Sequence, residues 1–232
     1  MPVITTDPDI ALLLWMQLQD SAFPAGRMVH SQGLEQWLAE RPDAGDHEIA
    51  AVVTGYLADG HAPLDATITA AAWRAAPHRE SLCQLDELIA TYKLFDNART
   101  ASESAGRQLA AAARNTGLAT QCRYLDAVAD GATPGHCAVV DGALQAGLGI
   151  PLHLAVLGSI RSAMASMLSA AVRLGRLGPL RRQRIQADSV SLVAELAHDA
   201  CGRGLDDIWS VVPALEISGM RHETRASRLF AT

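Results

Sequence analysis

Apolar residues recur every three or four positions along most of the chain, which is the pattern of amphipathic helices. The stripe is clearest from Asp46 to about Ala58 and from Ser81 to Leu94, where Leu, Ile, Val and Tyr fall on one face. No stretch alternates apolar and polar residues with the period of two that marks a half-buried strand. The pattern therefore predicts an all-α protein, a bundle of roughly ten helices.

Prolines, glycines and capping residues set the predicted helix boundaries. Asp7-Pro8 is a cap followed by proline at the first helical position, which predicts a helix to about Gln19. Ser31 is predicted to cap a helix that reaches Glu40. The other predicted helices cover 46–58, 63–76 (opened by Pro63), 81–94, 97–114, 119–129, 136–148, 151–174, 180–200 and 205–217 (kinked at Pro213).

We predict one helical domain over 1–232, with a short N-terminal extension (1–7) and a polar C-terminal tail (221–232). The helix over 97–114 carries a face of small residues that lets a neighbouring helix approach closely. The stretch 142–160 has no formal charge, but Gln145, Pro151 and His153 indicate a buried helix rather than a membrane span. Together, the small-residue helix faces and the apolar run 142–160 exceed what one domain of this size needs to bury. A two-fold homodimer is the commonest way to cover such surface.

Composition narrows the classes of function. Hydrophobic residues make up 49% of the chain and charged residues 19%, which excludes a disordered chain. Nineteen basic residues against 25 acidic ones give a net charge of −6, which argues against nucleic-acid binding. The four cysteines form no C-x-x-C pair and the N-terminus lacks the pattern of a signal peptide, so we expect a cytoplasmic protein with reduced thiols.

Motifs of catalysis are missing from the sequence. It has no phosphate-binding G-x-x-x-x-G-K-[ST], no G-x-S-x-G and no H-E-x-x-H, and Gly202-Arg203-Gly204 follows no strand. His198 and Cys201 share a helix face, but two ligands are too few for a closed metal site. We therefore predict no enzyme activity, no cofactor and no resident metal.

A basic stretch runs from Arg161 to Ala187, with six arginines and no acid. Arg181, Arg182 and Arg184 lie at a predicted helix start, where positive charge is unfavourable to the helix dipole. The stretch is either a solvated basic face or a surface for a protein partner with an acidic patch.

Two segments have compositions that are unusual for plain scaffold. The first runs from Asp20 to Glu35 and contains P-A-G followed by S-Q-G-L-E. The second runs from Arg221 to Phe230, and its polar residues R-H-E-T-R-A-S-R end in Leu229-Phe230. An apolar pair on a polar tail must dock on this chain or on another.

Together these segments resemble the opening and closing patterns of the urease accessory protein UreF family. Arg99-x-x-Ser102-x-x-x-Gly106-Arg107 and Ser169 to Leu174 also resemble UreF segments, so the likeness spans about 11–230. The resemblance implies an all-helical, dimeric, non-catalytic adaptor. Such an adaptor sits between a UreD- or UreH-type protein and the GTPase UreG during nickel insertion into apo-urease.

The resemblance implies that the two unusual segments bind partners, and the basic stretch adds two arginines. We assign to partner binding Pro24, His30, Ser31, Gln32, Glu35, Arg181, Arg182, Arg221, His222, Glu223, Arg228, Leu229 and Phe230. The tail is expected to be mobile alone and to order on the UreD-type partner; the alternative is that Leu229 and Phe230 pack on their own domain. Two further alternatives are a direct nickel carrier and a small-molecule-binding or hydrolytic protein that uses His30, Glu35 and His222-Glu223.

Overall fold

The computed structural model describes residues 7–26, 30–118, 122–223 and 229–230, and within these ranges its regular structure is entirely helical. The α-helices are α1 (Pro8–Gln19), α2 (Leu34–Ala39), α3 (Asp46–Tyr56), α4 (Thr67–Ala75), α5 (Arg79–Tyr92), α6 (Asp96–Asn115), α7 (Arg123–Ala129), α8 (Cys137–Gly147), α9 (Leu152–Arg173), α10 (Pro179–Asp188), α11 (Val190–Gly202) and α12 (Pro213–His222). A π-helical segment (Leu57–Ala66) joins α3 to α4, and a 3₁₀ turn (Leu205–Asp207) follows α11. The predicted all-α class is confirmed.

The start of α1 follows from its sequence. The Asp7 carboxylate accepts hydrogen bonds from the N–H groups of Asp9 (2.9 Å) and Ile10 (3.4 Å), and Pro8 occupies the first helical position. By contrast, Ser31 does not cap α2, because Gly33 stands at the cap with φ of +80° and the helix begins at Leu34. The Ser31 hydroxyl instead accepts a long hydrogen bond, 3.4 Å, from the N–H of Glu35.

Pro63 does not open a new helix as predicted. The helical path is continuous from Asp46 to Ala75, and Pro63 lies buried inside the π-helical segment. In a π-helix each N–H bonds to the carbonyl five residues back, so the local ladder differs from that of an α-helix. The wider turn accommodates a proline, which has no N–H to donate.

Three predicted boundaries near the C-terminus were wrong. The predicted helix over 180–200 breaks at Ser189, whose hydroxyl and N–H both donate to the carbonyl of Ile185 (2.8 and 3.1 Å). The predicted helix over 205–217 is a 3₁₀ turn followed by extended chain, and α12 starts at Pro213 instead of kinking there. Arg221 and His222, predicted as tail, form the last turn of α12.

The core has two apolar clusters, and α4 contributes to both. Ile68 and Ala72 of α4 belong to a cluster built mainly from α5, α6, α7 and α8. Ala70 of the same helix belongs to a cluster built mainly from α2, α3, α9 and α11. Helix α8 lies close against α4, because Gly142 brings its backbone onto Thr69 and Ala72. Helix α4 is thus the central element of the bundle.

Helix α9 is long and apolar enough to cross a membrane by length and composition alone. However, 61% of its most apolar 18-residue window is buried inside the protein. Val156, Ile160, Met164 and Leu168 of this helix all belong to the second apolar cluster. Helix α9 therefore has the packing of a core helix, as the sequence predicted for 142–160.

Candidate functional site

The two unusual sequence segments meet at one carboxylate. Glu35, on α2, is 4% exposed and accepts hydrogen bonds from His222 Nε2 (3.0 Å), Leu229 N–H (2.8 Å) and Phe230 N–H (3.0 Å). We name Glu35, His222, Leu229 and Phe230 the C-terminal clasp. The clasp joins Leu229 and Phe230 to the loop–helix segment that the sequence singled out near its start.

Further contacts hold the clasp in place. The Phe230 ring is 3% exposed and lies under the guanidinium of Arg173, 4.4 Å from the ring centroid. Arg221 pairs with Glu40 at 3.1 Å. The Glu223 carboxylate accepts a hydrogen bond of 3.0 Å from the N–H of Asn97, at the start of α6.

The electrostatics of Glu35 favour its charged form. Burial by itself raises the pKa of this carboxyl. The hydrogen bonds from Leu229, Phe230 and His222 act in the opposite direction and are stronger in sum, so the pKa of Glu35 lies below its usual value. Glu35 is therefore ionised in the folded protein at neutral pH, and all three donors face a negative charge.

At Phe230 this geometry matches the alternative in which the apolar pair packs on its own domain. The structure places Phe230 inside its own chain, so that ring is not available to a partner while the clasp is closed. Leu229 remains 53% exposed. Arg228, also assigned to partner binding, lies outside the described residues. The outcome for the apolar pair is thus split: one residue anchors the segment and the other faces solvent.

His30 and Gln32 line a different feature, a partly open cavity of about 120 Å³ among α3, the π-helical segment, α6, α8 and α9. Small side chains keep it open, among them Ala98, Ala101 and Ala105 of α6. Gln32 has φ of +55°, and within the described residues it is the one non-glycine residue with a positive φ. Backbone strain of this kind persists where the surroundings fix it firmly.

Sequence reasoning missed the charged groups of this cavity. Lys93, the single lysine of the chain, contacts both carboxylate oxygens of Asp65 at 2.8 and 2.9 Å. His61 Nε2 lies 3.0 Å from the hydroxyl of Ser159. The π-helical segment carries His61 and Asp65, so the signal available in the sequence was a proline inside an otherwise helical stretch.

The Ser159–His61–Asp65 arrangement does not support the hydrolytic alternative. His61 Nδ1 is 4.0 Å from Asp65, beyond hydrogen-bond distance, and Lys93 already neutralises that carboxylate. Burial lowers the pKa of His61, partly offset by Asp65, which weakens it as a base. Two of the residues named for that alternative, Glu35 and His222, are hydrogen-bonded to each other in the clasp.

The basic stretch separates into different environments. Arg181 pairs with Asp46 on α3 at 3.1 Å, and Arg184 pairs with Asp188 at 3.4 Å. Arg182 lies instead in a groove that it shares with Pro24. Among the described residues, no group of three or more His, Cys, Asp or Glu side chains is arranged to hold a metal ion.

The fold and the clasp define a class: an all-helical protein whose buried polar residues fasten its own C-terminal segment. The family model for UreF matches residues 44–190. The urease accessory protein UreF of Granulibacter bethesdensis is 31% identical over 230 residues, covering 96% of this chain and 94% of that protein. The UreF of Bradyrhizobium diazoefficiens is 32% identical over 223 residues (94% and 89%), and that of Brucella ovis 29% over 229 residues (98% and 96%). The chain belongs to the UreF family of urease accessory proteins.

Proposed function

We propose that this chain is a non-catalytic adaptor in nickel insertion into apo-urease. In this role it acts in the cytoplasm as a homodimer, binds a UreD- or UreH-type accessory protein, and modulates the GTPase UreG. Support comes from family membership and from relatives named as urease accessory proteins that match over nearly their whole length. The function consistent with these names is protein maturation through partner binding.

The observation that supports the proposal is that the two neighbouring apolar residues of the C-terminal clasp differ in exposure. Phe230 is buried, whereas Leu229 beside it is 53% exposed. Ile217 (49%) and Met220 (42%) share a face of α12 through their i, i+3 spacing. A fastened segment that presents apolar side chains is preorganised, so it loses less conformational entropy on binding than a free tail. We assign Ile217, Met220 and Leu229 to the surface that meets the UreD-type partner.

A pair of substitutions tests this assignment. Leu229→Asp places a charge where the partner docks, and we expect its affinity for the UreD-type protein to fall about tenfold or more while the melting temperature stays unchanged. Leu205→Asp is the matched control, because Leu205 is also exposed (42%) but lies outside the clasp. Affinity is measured by calorimetric titration or quantitative co-purification. Equal binding by both variants would exclude the clasp from the partner interface.

The direct nickel carrier remains the second candidate, and a titration separates it from the adaptor. The adaptor is expected to bind nickel weakly and without fixed stoichiometry when no partner is present. Tight binding of one nickel ion per chain, abolished by replacing His222 or His198, would favour the carrier. Calorimetry with the isolated protein measures this directly.

A further inference from the structure

A groove of about 480 Å³ lies where the loop after α1 meets α9 and α10. Its charged and polar lining comes from Arg161 and Ser162 on α9, Arg182 on α10, and Gln19, Asp20 and Ser21 at the end of α1. Leu18, Phe23, Pro24 and Ala165 add apolar surface. We name it the arginine groove. Its volume falls within the range of about 300–1,000 Å³ that is usual for small-molecule sites.

The two arginines of the groove differ from their neighbours on α10. Arg181 and Arg184 are each paired with a carboxylate, Asp46 and Asp188. Within the part of the chain that the structure describes, the guanidinium groups of Arg161 and Arg182 form no ion pair and donate no hydrogen bond. Arg161 and Arg182 therefore line one concave space, and among the described residues neither guanidinium is paired with a carboxylate.

One donor of Arg182 is already withdrawn from solvent. Its Nε is buried and has no acceptor among the described residues. Buried N–H donors are normally satisfied, so the Arg182 guanidinium lacks a hydrogen bond that a buried arginine usually makes.

The acid in the groove does not remove this positive character. Asp20 is the single carboxylate among the lining residues, and one of its oxygens accepts a hydrogen bond of 2.9 Å from the N–H of Ala22. Two guanidinium groups against one carboxylate leave a net charge of about +1 in the groove. A guanidinium presents its N–H groups in a planar fork that matches carboxylate and phosphate oxygens.

We propose that the arginine groove is a binding site for a small oxyanion, a ligand that carries a phosphate or a carboxylate group. Arg182 binds the oxyanion through the N–H groups of its guanidinium that face the groove, and Arg161 supplies the second positive charge. Phe23, Pro24 and Ala165 contact an apolar part of the ligand. This site is separate from the C-terminal clasp and does not depend on the proposed adaptor role.

The test uses potassium phosphate and potassium acetate as probes, each at low millimolar concentration against potassium chloride of equal ionic strength. Matching the ionic strength removes general screening, and low concentrations limit nonspecific salt stabilisation. We expect at least one probe to raise the melting temperature saturably, and calorimetric titration to give its affinity. The phosphate and acetate arms decide which oxyanion the groove prefers.

Variants of the arginines locate the effect. We expect Arg161→Gln and Arg182→Gln each to weaken binding by about tenfold or more, since each loses a charge-assisted contact. Arg182→Lys keeps the charge but lacks the fork, so an intermediate loss is expected. Arg184→Gln is the matched control on α10 and should bind like the unaltered protein. Circular dichroism checks that every variant is folded.

Two results would overturn the proposal. The first is a response to phosphate and acetate that persists in the Arg161→Gln, Arg182→Gln double variant, or that is equally reduced by Arg184→Gln. The second is the absence of any response beyond that to chloride. The second result would also be obtained if the arginines instead meet acidic side chains of a protein partner, and it counts against a small-ligand site.

Discussion

The carboxylate of Glu35 is nearly fully buried, and its oxygens accept three hydrogen bonds from groups far away in sequence. A buried charge without partners is strongly destabilising, whereas one with charge-assisted donors is tolerated and fixes their positions. Glu35 is separated from Phe230 by 195 residues, so its hydrogen bonds fix the positions of Leu229 and Phe230 against α2. At the scale of single residues, this carboxylate has the largest structural consequence in the clasp.

Glu35→Gln is expected to lower the free energy of unfolding by about 2–3 kcal/mol, because the amide removes the charge and turns a donor toward the N–H groups of Leu229 and Phe230. Glu40→Gln is the control: Glu40 is more exposed and pairs with Arg221 at the surface, so its loss should cost less than about 1 kcal/mol. Urea unfolding measures both. Equal losses in the two variants would mean that the clasp contributes no more than a surface pair.

Buried histidines predict how stability depends on pH. Burial lowers the pKa of His30 and His61, and it lowers the pKa of His136 to about 4. Between pH 6.5 and the lowered pKa values of the folded protein, these histidines bind protons in the unfolded chain but not in the folded one. The contribution of these histidines to the free energy of unfolding should therefore be fully present above pH 6.5. It should decrease as the pH drops, by up to about 1.4 kcal/mol per pH unit for each histidine.

Unfolding in urea at a series of pH values between 7.5 and 5 measures that slope. His136→Gln should reduce it, because one group that resists protonation in the folded state is gone. His153→Gln is the matched control, since His153 is exposed in the folded protein. A stability that stays level from pH 7 to 5 would contradict the prediction. Below about pH 4.5 the lowered pKa values of Glu35 and Asp65 act in the same direction, so acid destabilisation continues there.

At the scale of elements, the small residues of α6 line a cavity and allow one close backbone contact. Ala98, Ala101, Ser102 and Ala105 line the cavity that also holds Lys93, and Gly106 brings the α6 backbone against the chain that leads into α8. A Cβ at Gly106 would clash with the carbonyl oxygen of Gly135 and lie 3.0 Å from Cys137 N. The close approach occurs at Gly106 and is made by the loop residue Gly135 and the first residue of α8, Cys137, instead of by the length of a neighbouring helix.

Gly106→Ala is therefore expected to destabilise the protein by about 1–3 kcal/mol, because backbone on both sides must move apart. Gly55→Ala is the matched control within α3, where a new Cβ has no atom within 4 Å. Alanine there should be neutral or stabilising by up to about 1 kcal/mol, through its higher helix propensity. Thermal unfolding compares the two variants. A neutral Gly106→Ala would show that α6 is free to shift from the loop.

At the scale of the whole molecule, the structure changes the reason for expecting a dimer. The uncharged stretch 142–160 is mostly buried inside this chain, in α8 and α9, so it supplies no surplus surface. The large exposed apolar side chains lie elsewhere, with four of them on α1: Ile10, Leu12, Leu13 and Met16. Exposed apolar patches of this kind are typical of surfaces that other chains cover.

We still expect a two-fold dimer in solution, now on the basis of this exposed apolar surface. Light scattering at micromolar concentration should give twice the chain mass of 24.6 kDa. Dilution to nanomolar concentration serves as the control, because a reversible dimer dissociates by mass action. A mass of one chain at every concentration would remove dimerisation from the proposed function.

The sequence by itself determined the helical class and most helix positions, because these depend on contacts between residues a few positions apart. The apolar period of 3.6 is present in each segment, and Asp7-Pro8 caps α1 through bonds that span two or three residues. The sequence also singled out the segments that contain Glu35 and Phe230. It left open whether Phe230 docks on this chain or on a partner.

Only the tertiary structure decided the features that depend on distant residues. The π-helical segment around Pro63 is stabilised by packing against α4, α9 and α11, and local preference alone predicted a break there. Asp86 likewise carries no local signal, yet it accepts hydrogen bonds from Tyr124 and from the N–H groups of Gly135 and His136. The clasp joins positions 35 and 230 in the same way. Partners so far apart in sequence are selected by packing and by the need to satisfy buried polar groups, and a periodicity that covers a few residues does not contain that information.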